Sequence, residues 1–106
     1  MEMAYINEFK DYKELVSYSV EEPSVFCSER EQWKFEFSNG LGASVIRGAT
    51  TYGGSKGLFE LAVMENGRLC YDTPITDDVI GYLTVAGVIS ILDKIRDLKK
   101  TNNGWE

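Results

Sequence analysis

The side chains of this 106-residue chain that could do chemistry fall in two short segments. The first segment, 47–57, combines cations, an aromatic ring and bare glycine backbone, in Arg47, Tyr52, Gly53, Gly54 and Lys56. The second segment, 71–78, combines an aromatic ring with three carboxylates, in Tyr71, Asp72, Asp77 and Asp78. Glycine N–H groups beside a lysine suit an anion, carboxylates suit Mg²⁺ or general acid–base work, and tyrosines stack on bases or anchor proteins. These nine residues are our candidate ligand-binding or partner-binding site.

None of these patterns completes a catalytic or metal-binding motif. The stretch 53–57 lacks the spacing of a phosphate-binding P-loop, and a strand rather than a helix is predicted to follow it. The aspartates lack the spacing of a calcium loop, and residues 76–78 are equally typical of a helix start. We therefore expect no metal and no cofactor, and glycines that serve a loop with positive φ.

The three tyrosines near these segments are expected to differ in their surroundings. Tyr71 and Tyr82 are predicted to be core residues with their hydroxyl groups at the rim, whereas Tyr52, in a glycine loop, is predicted to be exposed.

The absence of histidine excludes enzymes that depend on a Ser-His or Cys-His pair within one chain, and we expect no enzyme. The formal net charge is −6. Most of it lies early, with Glu2, Glu8, Asp11, Glu14, Glu21, Glu22, Glu29 and Glu31 against Lys10, Lys13 and Arg30. This acidic third is interpreted as a solvated face. A surface that mimics DNA phosphates or docks on a basic partner is the alternative.

Hydrophobic periodicity predicts one α+β domain over 1–100, with a frayed tail over 101–106. The elements are an N-terminal helix over 4–18, a four-stranded antiparallel β-meander, and a C-terminal helix that Thr84 caps and that packs on one face of the sheet. The strands are expected over 33–38, 43–48, 58–65 and 68–72, with a two-residue Asn66-Gly67 turn between the last two. In this meander the second and fourth strands end at the same side, which would gather 47–57 and 71–78.

The compartment is expected to be the cytoplasm, since no apolar run is long enough to span a bilayer and the N-terminus does not read as a signal peptide. Cys27 and Cys70 are accordingly expected to be free thiols.

Several runs resemble a family of short uncharacterised proteins of tailed phages and prophages, whose motifs read NGYGASV-RG, YGG, GLFELAV and TPITDDVIG-L. The matching segments are 37–48, 52–54, 57–63 and 71–84, within a region of similarity over about 33–98. Leu41 stands where the family commonly has an aromatic residue. Residues 85–87 are apolar where acids are usual, as if the last helix met a partner.

The resemblance implies a phage or prophage accessory protein that acts by protein–protein interaction, as an inhibitor of a host defence system such as CRISPR. Its partner would be a host or phage protein, with direct binding to nucleic acid or membrane not expected. A homodimer stays open. The alternative function is a small-ligand binding protein, for a nucleotide or signalling nucleotide, that uses 47–57 and 71–78.

Overall fold

A computed structural model describes residues 6–25, 28–76 and 78–106, which form an α+β fold. The elements in chain order are β1 (Leu15–Glu21), β2 (Arg30–Glu36), β3 (Leu41–Gly48), a 3₁₀ turn (Gly54–Lys56), β4 (Phe59–Glu65), β5 (Arg68–Leu69), β6 (Ile80–Leu83), α1 (Val85–Arg96), β7 (Lys100–Thr101) and β8 (Gly104–Trp105). Within the described residues, β1 to β6 form one antiparallel sheet, and β7 and β8 form a separate hairpin.

The main sheet has one face covered by protein and one face open. Strands β1, β2, β3 and β4 are neighbours in that order, and both β5 and β6 pair with the far side of β4. The register places Trp33, Val45 and Leu61 in one row across three strands, and all three are fully buried. The next row carries Lys34 and Ser44 on the opposite face, because side chains alternate along a strand. We call these the covered face and the open face.

An aromatic cluster forms the centre of the core on the covered face. The ring of Phe9 makes edge-to-face contacts with the rings of Trp33, Phe35 and Phe59 at centroid distances of 5.4, 6.0 and 5.1 Å. The quadrupoles of the rings favour this edge-to-face geometry, and the contacts also bury apolar area. Helix α1 adds the buried side chains Val88, Leu92 and Ile95.

The N-terminal helix predicted over 4–18 is not formed: residues 6–14 are turns and β1 begins at Leu15. Residues 4 and 5 lie outside the described part of the chain. The apolar residues of this region satisfy two periods, since Val16, Tyr18 and Val20 also alternate with serines. A strand forms instead of a helix because an extended chain allows the Tyr18 ring to stack on the Trp33 ring, with 5.0 Å between the centroids.

The predicted meander is correct for its central strands and wrong at its last one. Strands β2, β3 and β4 match the expected segments, and Asn66 and Gly67 form the expected turn, with φ of 53° and 78°. The fourth strand, predicted over 68–72, ends as β5 at Leu69. Strand β6, which the alternation did not predict, returns to the same side of β4 after the segment 70–79.

The C-terminal helix is confirmed. The Thr84 side chain caps α1 by accepting a hydrogen bond from the Gly87 N–H at 3.1 Å. The tail predicted to be frayed instead forms the β7–β8 hairpin, in which Trp105 is buried. The strands of this hairpin have two residues each and are too short to be stable by themselves, so burial of the large Trp105 indole stabilises it.

Asn39, in the turn between β2 and β3, joins that turn to the end of α1. Its Nδ2 donates to the carbonyl oxygens of Ile95 and Leu98, at 2.9 Å each, and its Oδ1 accepts from the Leu41 N–H. The last carbonyls of a helix lack regular partners within the helix. The Asn39 amide bonds the Leu98 carbonyl and gives a second donor to the Ile95 carbonyl, which also accepts from the Leu98 N–H at 3.2 Å.

Polar contacts join the N-terminal turns to α1. The Tyr12 hydroxyl donates to Asp93 at 2.7 Å, and the Arg96 guanidinium forms a two-pronged pair with Glu14 at 2.8 and 2.9 Å. The hydrogen bond from Arg96 lowers the pKa of Glu14, while burial and the bond to Asp93 raise the pKa of Tyr12. No helix in the described residues is long and apolar enough to cross a membrane.

We predict that Glu14→Gln lowers the melting temperature at pH 7 by a few degrees and that this deficit shrinks under acid. The lowered pKa of Glu14 means that its carboxylate stabilises the fold above pH 4.5 and that the contribution is lost as pH falls through that lowered pKa. Melting curves of both proteins between pH 3 and pH 7 measure the effect. Glu22→Gln is the control, because Glu22 has no ion-pair partner among the described residues. A deficit that stays constant with pH would contradict the assignment.

Candidate functional site

The glycine loop, residues 49–57, is closed by its own hydrogen bonds. The N–H groups of Gly54, Lys56 and Gly57 donate to the carbonyl oxygens of Thr51, Gly53 and Gly54 at 3.0 to 3.1 Å. Gly53 and Gly57 have the expected positive φ, 88° and 76°. Because these N–H groups are already bonded within the loop, they do not form an open cradle for a phosphate.

The loop packs against β6 through Tyr52. The Tyr52 carbonyl accepts a hydrogen bond from the Tyr82 N–H at 3.2 Å, and the Tyr52 N–H donates to the Glu60 carboxylate at 3.1 Å. Gly81 permits this approach, since a Cβ there would lie 2.5 Å from the Tyr52 Cβ. The contact therefore holds the backbones of Tyr52 and Tyr82 against each other, and we call these two residues the tyrosine pair.

Both members of the tyrosine pair are exposed. Tyr52 and Tyr82 each have 60% of their surface accessible, and Tyr71 has 43%. The expectation that Tyr71 and Tyr82 are core residues is therefore wrong, whereas the exposure expected for Tyr52 is confirmed. In β6 it is Ile80 and Leu83, the residues that pair with β4, that are half-buried.

Tyr82 has a strained backbone. Its φ is +57°, in a left-handed region that costs a residue with a Cβ roughly 1–2 kcal/mol. Gly81 and Tyr82 together lie opposite Glu60 of β4, one residue more than a regular pairing allows, so the strain belongs to an irregularity in β6. The sequence analysis missed this because it predicted no strand over 80–83, although a glycine within a strand, here Gly81, is typical of a bulge.

Arg47, a predicted site residue, is held between carboxylates at the edge of the core. Its Nη1 donates to Glu8 at 2.6 Å and its Nε donates to Glu31 at 2.8 Å. The guanidinium also lies 4.5 Å from the Phe59 ring centre. The Tyr18 hydroxyl donates to Glu31 at 2.7 Å. Arg47 thus binds the protein's own carboxylates.

Arg47 and Tyr18 of this network both stay protonated at neutral pH. Burial alone would lower the pKa of Arg47, but hydrogen bonds to Glu31 and Glu8 outweigh it and leave that pKa raised. Burial and the hydrogen bond to Glu31 raise the pKa of Tyr18, so its phenol stays protonated. Arg47 therefore serves as a structural cation in this cluster.

Of the remaining predicted residues, Lys56 belongs to the loop and has an exposed side chain. Tyr71, Asp72 and Asp78 are exposed and do not join the loop, and Asp77 lies outside the described residues. No hydrogen bond or ion pair between described residues links 47–57 to 71–78. The segment 70–79 leaves the sheet between β5 and β6, part way along β4, so the end-to-end geometry of a four-stranded meander does not apply. The described residues contain no grouping of three Cys, Asp or Glu side chains fit for a metal ion.

Half of the eight acidic residues of the first third are paired with cations. Glu8 and Glu31 pair with Arg47, Glu14 pairs with Arg96, and Glu21 pairs with Arg30. Glu2 lies outside the described residues, and the acids without an ion-pair partner among the described residues are Asp11, Glu22 and Glu29. A phosphate mimic needs a row of free carboxylates, so these ion pairs reduce the support for a surface that mimics DNA.

Cys70 is a buried free thiol, and Cys27 lies outside the described residues.

The open face carries a shallow groove at the end away from the tyrosine pair. The groove has a volume of about 500 Å³ and runs over Gly42 and Ser44, between Lys34 and Met64. The groove forms because the β3 residues beneath it, Gly42 and Ser44, are small. Since Glu60 lies on the same face, the tyrosine pair borders one end of the open face and the groove occupies the other.

Fold and site together define an α+β protein with one uncovered sheet face and an exposed pair of tyrosines. Three comparisons with known proteins found no matching family model, no matching curated protein and no matching solved structure. A function can therefore be proposed from the geometry of the tyrosine pair and the open face, together with the resemblance to short phage proteins.

We predict that Arg47→Met destabilises the protein by about 3 kcal/mol, because Glu8 and Glu31 would be left as unpaired, mostly buried carboxylates. Urea unfolding measures the loss. Arg30→Met is the matched control: its pair with Glu21 is 43% and 50% exposed, and we expect a loss below about 1 kcal/mol. Equal losses for the two variants would show that Arg47 is not a structural cation.

We also predict that glycine at position 82 is about 1 kcal/mol more stable than alanine, because glycine removes the strain of a positive φ. At position 71, where φ is not positive, the order should reverse, with Tyr71→Ala more stable than Tyr71→Gly. Chemical denaturation of the four variants gives both differences. The same order at both positions would contradict the strained geometry of Tyr82.

Proposed function

We propose that the protein acts by binding another protein and that the tyrosine pair is the centre of the contact. The observation that carries the proposal is the exposure of two neighbouring tyrosines, 60% each, on backbone that hydrogen bonds hold in place. Tyrosine combines a large apolar ring with a hydroxyl group, and it is enriched among the residues that contribute most to protein interfaces.

Rigidity supports this function. Tyr52 is fixed through its N–H by Glu60 and through its carbonyl by Tyr82, and close packing on Gly81 prevents the backbone from moving inward. A partner that docks on such a pair orders few additional dihedral angles. Less of the interaction free energy is then lost to conformational entropy.

The strain at Tyr82 supports it as well. Folding alone would favour glycine at a φ of +57°, yet the chain keeps an exposed aromatic residue there. Strained residues of this kind concentrate at functional sites, where the side chain is needed for something other than stability. An exposed ring gains little from burial within the monomer, so a partner supplies the missing contact.

The class of partner follows from the resemblance to small phage and prophage proteins. On that basis we propose a phage accessory protein that blocks a host defence complex, such as a CRISPR effector. The open face, with its groove over Gly42 and Ser44, provides the remaining contact area beside the tyrosine pair.

The small-ligand alternative has less support. The N–H groups of the glycine loop that would hold a nucleotide phosphate are bonded to loop carbonyls, and the Glu60 carboxylate beside Tyr52 repels an anion. Arg47, the cation expected to steer a phosphate, is neutralised by Glu8 and Glu31.

The test compares the wild type with Tyr52→Ser and Tyr82→Gly in bacteria whose CRISPR system targets a phage. Expression of the wild type should restore plating of the targeted phage, and the two variants should not. The purified effector complex should bind them at least about 30-fold more weakly, the usual cost of removing a central aromatic anchor. Tyr71→Ser, exposed but outside the pair, is the control and should behave as the wild type.

Because Tyr82→Gly relieves strain, its loss of binding could not be attributed to misfolding. The proposal fails if the wild type neither restores plating nor binds the effector, or if Tyr71→Ser weakens binding as much as the two test variants. A thermal shift with ATP or a cyclic dinucleotide would instead favour the ligand alternative.

A further inference from the structure

The two edges of the main sheet are built differently. At one edge, β5 has two residues, the segment 70–79 interrupts the pairing, and Tyr82 adds an irregular left-handed residue. Short, interrupted and bulged strands are the usual devices that prevent an edge from pairing with another chain. At the other edge, β1 has one irregularity, between Leu15 and Ser17, and pairs regularly with β2 from Ser17 to Glu21; none of the described residues pairs with its outer side.

The ladder determines which backbone groups of β1 face outward. The Phe37 N–H donates to the Leu41 carbonyl at 2.8 Å, so odd-numbered residues of β2 direct their polar backbone groups toward β3. Even-numbered residues direct theirs toward β1, as the bond from the Glu36 N–H to the Glu14 carbonyl shows. Ser17 and Ser19, the partners of Lys34 and Gln32, therefore face β2. The N–H and carbonyl groups of Tyr18 and Val20 then point to the free edge.

The sequence of this edge is a palindrome, running from Val16 to Val20 as V-S-Y-S-V. We propose that β1 pairs with β1 of a second copy of this chain, antiparallel, about a twofold axis at Tyr18. Each valine then lies opposite a valine, each serine opposite a serine, and Tyr18 opposite its own copy. An isologous contact of this kind requires a surface that complements itself, and a palindromic strand supplies it.

The outward groups fit this register. Tyr18 is the centre of the palindrome and also one of the residues whose N–H and carbonyl are directed outward, so the central pair exchanges two hydrogen bonds. Val16 lies at the irregularity of β1, so its pairing with Val20 of the second copy contributes contact between β-branched side chains, and the ladder hydrogen bonds come from the central Tyr18 pair. Val16 is 56% exposed in the single chain and would be covered.

Charge does not oppose the pairing. Residues 15–20 carry no charged side chain. Glu14 and Glu21 flank the stretch and are engaged with Arg96 and Arg30. The contact joins two sheets into one continuous sheet and does not depend on the tyrosine pair, so it stands apart from the proposed function.

Sedimentation equilibrium over a concentration series tests the proposal, together with two double variants on the open face. The wild type should shift from 12.0 kDa toward twice that mass as concentration rises. Ser17→Glu with Ser19→Glu places like charges opposite each other twice across the axis and should weaken the dimer about tenfold. Ser17→Glu with Ser19→Lys places opposite charges there and should preserve or strengthen it.

Both double variants change exposed residues, and melting curves of dilute protein check that each monomer folds. A single 12.0 kDa species up to about 1 mM would overturn the proposal. A dimer that neither double variant changes would place the contact on another surface, and equal weakening by both would exclude the register centred on Tyr18.

Discussion

Phe9 fills the part of the covered face that α1 does not reach, and the rest of the molecule is organised around this contact. A helix of 12 residues cannot shield the covered face of the sheet alone, so the turns before β1 must supply the remaining apolar cover. The neighbours of Phe9 then carry the charges that fix those turns, with Glu8 on Arg47 and Glu14 on Arg96. Two acidic side chains of the N-terminal region, Glu8 and Glu14, thus attach this segment to the sheet and to the helix.

The sequence predicted the elements that depend on one unambiguous period. Alternation identified β2, β3 and β4, the Asn66-Gly67 pair identified the turn from β4 to β5, and the Thr84 cap identified α1. It failed where two periods fit the same residues, as over 4–18, or where no period survives, as in β6. In both places the outcome depends on contacts far apart in sequence, such as Tyr18 on Trp33, which a local pattern does not contain.

The candidate site was predicted in its location around the glycine loop but not in its membership. Tyr52 and Gly53 lie there as expected, yet the loop contacts β6 and not the aspartates of 71–78. Tyr82 enters the site because Gly81 lets Tyr52 approach, a distance that no spacing of residue types encodes. Arg47 was predicted as a ligand-binding residue because its actual partners, Glu8 and Glu31, are remote in the chain and the sequence does not show the pairing.

The amide of Asn39 has a consequence for the order in which the chain assembles. The turn that contains it closes through bonds between near neighbours, such as Gly40 N–H to the Phe37 carbonyl. Its bonds to Ile95 and Leu98 span 56 and 59 residues, so they carry a much larger loop-closure entropy. The β2–β3 hairpin is therefore able to form early, and the end of α1 docks onto a finished turn. We therefore expect the end of α1 to dock after the turn that receives it has formed.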